Sequence, residues 1–227
     1  HRQNWRLLRA AAQQYQALSP YGFVIAGKYE RGPHRGGGKQ VFSAERDRVR
    51  ALQLMVEAMT LADQDPAQPK VAQFYLSFAD MMLQGQSGSQ AWRLQSLTDL
   101  NELPDYVDGY YYPDNAGGAP VDAEGNPVFH QEPAGWQAAT SDGQRWRWCL
   151  HKALEIDSSL KGGVAWRLAD FLYQQIGVQT MQPFFSPRAF DDNEQGSQTY
   201  ALHTLQENET IAKLATAAKA KAEPAEY

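Results

Sequence analysis

The sequence contains a single cysteine, Cys149, among its 227 residues. One cysteine excludes an internal disulfide framework and any zinc site built from several thiolates. No two of the five histidines have the spacing that places two metal ligands on one helix face. Hydrophobic runs are short, and none approaches the roughly 20 apolar residues that a membrane-spanning helix needs. We therefore expect no membrane span, no metal ion and no other cofactor.

Excess positive charge is also missing. The formal net charge is −5 and the isoelectric point is about 5.5, which argues against nucleic acid or an anionic membrane as the main partner. Hydrophobic residues make up 43% of the chain, which is enough for a folded core. We predict a single helical domain over 1–227. Because the chain begins with His1 instead of Met, we expect it to be a processed product or a piece of a larger protein.

Helical periodicity covers roughly half of the chain. In 44–62, Leu52, Met55 and Met59 fall on one face, and Ser43 precedes them as a candidate N-cap. Similar patterns predict helices over 69–84, 143–156 and 162–176, and weaker patterns predict helices over 4–18, 89–100 and 208–221. We expect the four strong helices to pack as antiparallel neighbours and to bury Met55, Phe78, Leu150 and Phe171.

Strand signals are few. Segment 119–130 is typical of a short β-hairpin, because Asp122 and Gly125 suit the first and fourth positions of a type I turn. Segment 200–205 is a weaker strand candidate. The remaining connections are long, and they contain many aromatic residues, so we expect them to pack against the helices: 27–42, 101–141 and 177–207.

The triplet Trp-Arg-Leu occurs three times, beginning at Trp5, Trp92 and Trp166. Each copy opens or enters a helical segment. Their unequal spacing excludes a regular array, but it predicts helical hairpins in which a tryptophan packs between neighbouring helices. The first copy continues from Leu8 to Tyr15 with a pattern close to the first helix of a tetratricopeptide repeat.

The glycine-rich segment after Arg31 is similar to a phosphate-binding loop but lacks two of its elements. Pro33 stands where the loop needs its first glycine, and Gln40 stands where it needs a serine or threonine. We interpret the segment as a basic surface loop. In this interpretation Arg31, Arg35 and Lys39 are available to an acidic partner surface.

Connection 101–141 combines carboxylates with aromatic residues. Such a combination favours a second hypothesis, a helical carbohydrate-active enzyme or sugar-binding module, in which two carboxylates flank a sugar on aromatic platforms. Segment 122–126 is similar to a calcium loop, but its glycine comes too early and the later glutamate is missing. No Gly-x-Ser-x-Gly motif occurs. The carboxylates are Asp105, Asp108, Asp114, Asp122 and Glu124.

Several blocks along the chain carry a family resemblance. One block reads Phe-Val-Ile-Ala-Gly-Lys-Tyr-Glu-Arg-Gly at 23–32 and is followed by His-Arg-Gly-Gly-Gly at 34–38. Together with the other blocks, it resembles the N-terminal helical region of very large bacterial alpha-2-macroglobulin-like proteins. The other blocks lie at 45–55, 97–106, 118–130, 142–148, 177–181 and 199–205.

The resemblance implies a scaffold. In that family the helical region is similar to tetratricopeptide repeats and precedes the macroglobulin domains, which trap proteases with a bait region and, in many members, a Cys-Gly-Glu-Gln thioester. Cys149 is followed by Leu150, so it does not match the thioester cysteine. The resemblance therefore implies a non-catalytic docking region of a periplasmic or cell-envelope defence protein. Its partners would be other domains of the parent chain or an envelope protein.

The sequence thus predicts a mostly α fold of irregular, tetratricopeptide-like stacked helical hairpins with long loops and an inserted β-hairpin. Function is expected to depend on binding to protein. Two long loops supply the candidate contact surface, because charged side chains lie on one and rigid aromatic anchors on the other. The same aromatic residues could instead fold onto the helices. The candidate partner-binding residues are Arg35, Lys39, Tyr110, Tyr111, Tyr112 and Trp136.

Overall fold

The computed structural model of the protein describes residues 3–109, 119–122 and 127–176. This part is mostly helical and contains a small antiparallel sheet. The strong helix predictions are confirmed to within one residue at each end, and so is the weaker one over 4–18. The α-helices are α1 (Trp5–Ala17), α2 (Ala44–Ala62), α3 (Gln68–Leu83), α4 (Asp142–Ile156) and α5 (Lys161–Ile176). Short 3₁₀ helices span Gly88–Gln95, Trp136–Ala138 and Ser158–Leu160.

α1 and α2 form an antiparallel pair. At the start of α1, Trp5 Nε1 donates a hydrogen bond of 2.8 Å to Asp65 Oδ2, just after the end of α2. At the other end of α1, Tyr15 lines the same hollow as Ala44, the first residue of α2. α3 packs mainly against α4. The ring of Trp5 also reaches that of Phe74 on α3, with 5.5 Å between centroids, and this contact links α1 to α3.

A single hydrophobic core lies among the helices. Met55, Phe78, Leu150 and Phe171 are all buried, as predicted. Full burial of side chains of this size stabilises the fold by about 1.5–3 kcal/mol each, before the entropy of ordering them is subtracted. The core draws mainly on α2, α3 and α4, because the largest fully buried side chains are Leu52, Met55, Phe74, Tyr75, Phe78 and Trp146.

A four-stranded antiparallel sheet forms where the sequence pattern predicts no strands, and two of its strands lie within connection 27–42. Its strands are β1 (Tyr21–Ile25), β2 (Lys28–Arg31), β3 (Lys39–Phe42) and β4 (Val107–Asp108), in the order β2-β1-β3-β4. A two-residue turn joins β1 to β2, and both of its residues have positive φ, 48° at Ala26 and 78° at Gly27. Such turns match the twist of a hairpin. The interpretation of 27–42 as a long loop was therefore wrong for β2 and β3.

The inner face of the sheet packs on the start of α2. Arg31 on β2 binds Asp47 on α2 through two parallel hydrogen bonds of 2.8 Å, and Ser43 Oγ donates to the same carboxylate at 2.7 Å. Ser43 precedes α2 as predicted, but its side chain makes no capping hydrogen bond to the helix. The bidentate contact fixes the angle between sheet and helix, because a guanidinium and a carboxylate pair in one plane.

Gly22 on β1 is needed for the shape of this inner face. A Cβ atom at this position would lie 2.5 Å from the ring of Tyr29 and 2.5 Å from the carbonyl oxygen of Glu30. The Tyr29 ring therefore lies close over β1, and it stacks on Tyr106 with 4.7 Å between centroids. The missing side chain of Gly22 makes room for this aromatic stack.

The remaining helix, strand and hairpin predictions have different outcomes. The weak helix over 89–100 is wrong in type, because a 3₁₀ helix ends at Gln95 and extended backbone follows. The hairpin over 119–130 is present as one antiparallel bridge between Val121 and Pro127, with Val128 N donating to Pro120 O at 2.9 Å. Its turn at 123–126, the helix over 208–221 and the strand over 200–205 lie outside the described residues.

The three Trp-Arg-Leu triplets have three different environments. Trp5 is buried between α1 and α3, which confirms the packing role predicted for the first copy. Trp92 is half-buried in a 3₁₀ helix. Trp166 is 72% exposed on α5, so the prediction that it packs between helices was wrong. Within the described residues, no helix is long and apolar enough to cross a membrane.

Candidate docking surface

Arg35 and Lys39, predicted to act together, lie in different settings, one in a loop and the other on a strand. Lys39 begins β3, where it pairs with Val24 and forms a 2.5 Å ion pair with Asp108 on β4. Because paired residues in a sheet point to one side and neighbours alternate, Lys39 lies on the face opposite Phe23. Arg35 is exposed in the β2–β3 loop and forms no ion pair with the part of the chain that is described.

Trp136 is a core residue. It is 5% exposed, and its ring lies 4.7 Å from that of Phe78 and 6.0 Å from that of Trp148, measured between centroids. The guanidinium carbon of Arg145 lies 4.9 Å from the same ring. Trp136 therefore folds onto the helices and is not available as an exposed anchor. Three further candidates lie outside the described residues: Tyr110, Tyr111 and Tyr112.

Among the carboxylates with described positions, Asp142 is the most buried, and it has a structural role. It accepts hydrogen bonds from Arg48 Nη2 at 3.0 Å, from Thr98 N at 3.0 Å and from the Thr98 hydroxyl, and Arg145 Nη1 lies 3.5 Å away. These donors come from α2, from α4 and from the loop that follows the Gly88–Gln95 3₁₀ helix. Asp142 was predicted as the N-cap of α4, but it is the first residue of the helix. The capping hydrogen bond comes instead from Ser141, whose side chain accepts from Gln144 N at 3.2 Å.

In the part of the chain that the structure describes, the remaining chemistry-bearing side chains do not form a metal-binding cluster. Burial raises the pKa of the Cys149 thiol well above its usual value, so the neutral thiol persists at neutral pH. Burial lowers the pKa of His130 to about 4, which leaves its imidazole uncharged at pH 7. Of the predicted loop carboxylates, Asp108 is held by Lys39 and Asp105 is exposed. Among the residues with described positions, no group of His, Cys, Asp and Glu could hold a metal ion.

Two aromatic side chains on α5 are exposed to solvent. Trp166 is 72% exposed and Tyr173 is 62% exposed. With Ala169, also exposed, they stand at positions i, i+3 and i+7, which lie on one face of a helix. We call Trp166, Ala169 and Tyr173 the α5 surface.

Side chains outside the α5 surface hold the helix against its neighbours. Phe171 is buried, with its ring 4.6 Å from that of Trp146 on α4, and Val164 is buried one turn before Leu168. Arg167 Nε donates to Asp80 Oδ1 on α3 at 3.1 Å. The exposed aromatic pair is thus carried by a helix that is fixed on two neighbours.

The helical period of α5 already indicates this surface, although the Trp-Arg-Leu triplet led to the prediction of a packed tryptophan. The predicted apolar stripe of α5 runs through Leu168, Phe171, Leu172 and Ile176. Trp166 lies two residues before Leu168, which corresponds to about 200° around a helix. Helical phase therefore places Trp166 away from the core, whereas Tyr173, next to Leu172, lies at the edge of the stripe.

Comparison of the chain with protein-family models, with curated proteins and with solved structures finds no match.

Proposed function

We propose that the chain is a non-catalytic, tetratricopeptide-like docking region of a large bacterial alpha-2-macroglobulin-like protein, a protease-trapping protein of the cell envelope. The observation that carries the proposal is the α5 surface, where Trp166 and Tyr173 are exposed two turns apart on one face of the helix. The family and its location follow from the sequence resemblance. The docking role follows from the exposed aromatic residues.

Aromatic side chains of this kind are suited to binding protein. Tryptophan and tyrosine dominate the residues that contribute most to interface affinity, because each covers a large area with few rotatable bonds. Arg167 and Phe171 fix the backbone that carries Trp166 and Tyr173. A partner would therefore not have to order the helix before it binds, which reduces the entropic cost of association.

The arrangement of helices is compatible with the tetratricopeptide-like part of the proposal. α1 and α2 form an antiparallel pair, and α3 packs mainly against α4. Helical hairpins that stack in this way expose one helix at the end of the array, where a further domain can continue the packing. The last described helix, α5, has such an exposed face. The expected occupant is a macroglobulin-like domain of the parent chain.

Docking can be tested with the macroglobulin-like domains encoded in the same reading frame. The purified chain should bind them, and Trp166→Ala should weaken binding by at least about tenfold, the size expected for a central aromatic anchor. Phe129→Ala is the matched control, because Phe129 is also an exposed aromatic side chain, at 58%, but lies outside α5. Equal affinities for both variants and the unchanged chain would contradict a docking role for α5.

The non-catalytic part of the proposal has its own test. The chain should show no turnover of glycan, peptide or ester substrates. Turnover that is lost on replacing Asp105, Asp108 or Asp114 by asparagine would instead establish the carbohydrate-active alternative, since two carboxylates perform that chemistry.

A further inference from the structure

A second surface lies between α1 and α3, and none of its residues belongs to the α5 surface. A hollow of about 590 Å³ separates the two helices. Trp5 and Pro69 supply its apolar part, and Gln13 and Gln73 line it from opposite helices. Trp5 is itself buried, so its ring forms the floor of the hollow.

Every charged side chain that lines this hollow is a cation: Arg6, Arg9 and Lys70. Arg6 is neutralised by Asp65, with 2.8 Å between Nη1 and Oδ2. Arg9 and Lys70 form no ion pair with any residue whose position is described, and Arg9 Nε is buried without a hydrogen-bond acceptor. Two cations that no described carboxylate neutralises thus line one hollow, in a protein whose net charge is −5. Local charge of this kind attracts a negatively charged ligand.

The shape of the surface favours an elongated ligand over a small anion. A second hollow of about 430 Å³ shares Gln13 with the first and continues along the same two helices to Gln84. Gln16 and Ser77 line it as well. Glutamine amides both donate and accept hydrogen bonds, as a peptide backbone does. The one carboxylate that lines this second hollow is Asp80, and its Oδ1 accepts a hydrogen bond of 3.1 Å from Arg167 Nε.

We propose that this α1–α3 groove binds an acidic peptide segment of a partner protein. Carboxylates of the peptide lie against Arg9 and Lys70, apolar side chains lie over Trp5, and the peptide backbone follows the glutamines toward Gln84. The proposal adds a second contact to the proposed docking function. It does not depend on the α5 surface.

The test uses a fluorescently labelled peptide of alternating glutamate and leucine, and the same peptide with glutamine in place of glutamate. The anisotropy of the label should show binding of the glutamate peptide only. The double variant Arg9→Gln/Lys70→Gln should weaken this binding by about tenfold, as expected for the loss of two partly exposed ion pairs. Both side chains reach solvent, so these substitutions should leave the fold intact.

The matched control is Lys28→Gln/Lys161→Gln, which removes the same charge from two exposed residues outside the groove. This variant should bind the glutamate peptide like the unchanged chain, and so should Trp166→Ala. Equal binding of the two peptides, or equal loss in both double variants, would overturn the proposal. Competition by inorganic phosphate at the same concentration as the peptide would also overturn it, because a small anion would then be the ligand.

Discussion

Two tryptophans that begin the same triplet should respond very differently to replacement by alanine. Trp5 is 4% exposed, contacts Phe74 edge to face and donates a hydrogen bond to Asp65. Removal of a buried aromatic side chain typically costs about 3–5 kcal/mol. Trp166 is 72% exposed, so its replacement should change the free energy of unfolding by no more than about 0.5 kcal/mol.

Thermal denaturation separates these two expectations. In a protein of this size, 1 kcal/mol corresponds to about 2–4 °C in the melting temperature. Trp5→Ala should therefore lower the Tm by roughly 10 °C, while Trp166→Ala should leave it within about 2 °C. Equal shifts for the two variants would refute the assignment of Trp5 to the core and Trp166 to the surface.

Trp5→Phe extends the test to a single hydrogen bond. The pKa of Asp65 is lowered from 3.8 to about 2, chiefly because the Trp5 indole N–H and the Ala67 backbone N–H donate to its carboxylate. Phenylalanine keeps most of the ring but lacks the N–H donor. NMR titration of the Asp65 carboxyl should show its pKa rise toward 3.8. Because the folded-state pKa is depressed, the stabilisation is present above about pH 4 and is lost as the pH falls toward 2.

Four further outcomes follow from buried groups. Gly143→Ala should destabilise the protein in chemical denaturation, although alanine favours helices, because a Cβ atom there would lie 2.2 Å from the ring of His130. Between about pH 6.5 and pH 4 the protein should lose roughly 3 kcal/mol of stability as the pH falls, since burial lowers the pKa of His130 to about 4; a flat profile there would contradict this. Asp142→Asn should cost about 3 kcal/mol in urea unfolding, because it leaves Arg48 buried beside a neutral partner. Cys149 should react with a thiol reagent only after denaturation.

The helices could be predicted from the sequence because each buries one stripe of a regular period. Leu52 and Met55 on α2, and Phe171 on α5, recur at the spacing that a helix requires, and all three are buried. Capping was less predictable. Ser141 and Asp142 are both good N-cap residues, and the choice between them depends on Arg48 and Thr98, which come from distant parts of the chain.

The sheet could not be found by the same method. β1 carries partly buried side chains on both faces, so it lacks a clear alternation, and β2 is mostly charged. The strands are short, and they are stabilised by contacts far away in sequence, such as Arg31 with Asp47 and Tyr29 with Tyr106. Strand preference depends strongly on such contacts.

The candidate binding residues, like the secondary structure, could be predicted only in part. Arg35 was identified as an exposed cation from its place in a glycine-rich basic segment, and it is exposed. Trp136 was chosen because it lies in a long connection, yet Phe78 and Trp148 enclose its ring. Residue type does not distinguish a surface anchor from a core ring, because both uses favour large aromatic side chains. The phase of the residue within its helix does so for Trp166, which lies about 200° from Leu168 around α5.

The most direct test of the docking proposal is photocrosslinking in the intact parent protein. A photoreactive phenylalanine analogue at position 166 should crosslink to a macroglobulin-like domain of the same chain, and peptide mapping should locate the contact. The same analogue at position 129 is the control, because Phe129 is exposed outside α5. The account predicts a defined crosslink from position 166 and none from position 129. No crosslink from position 166, or the same products from both positions, would contradict it.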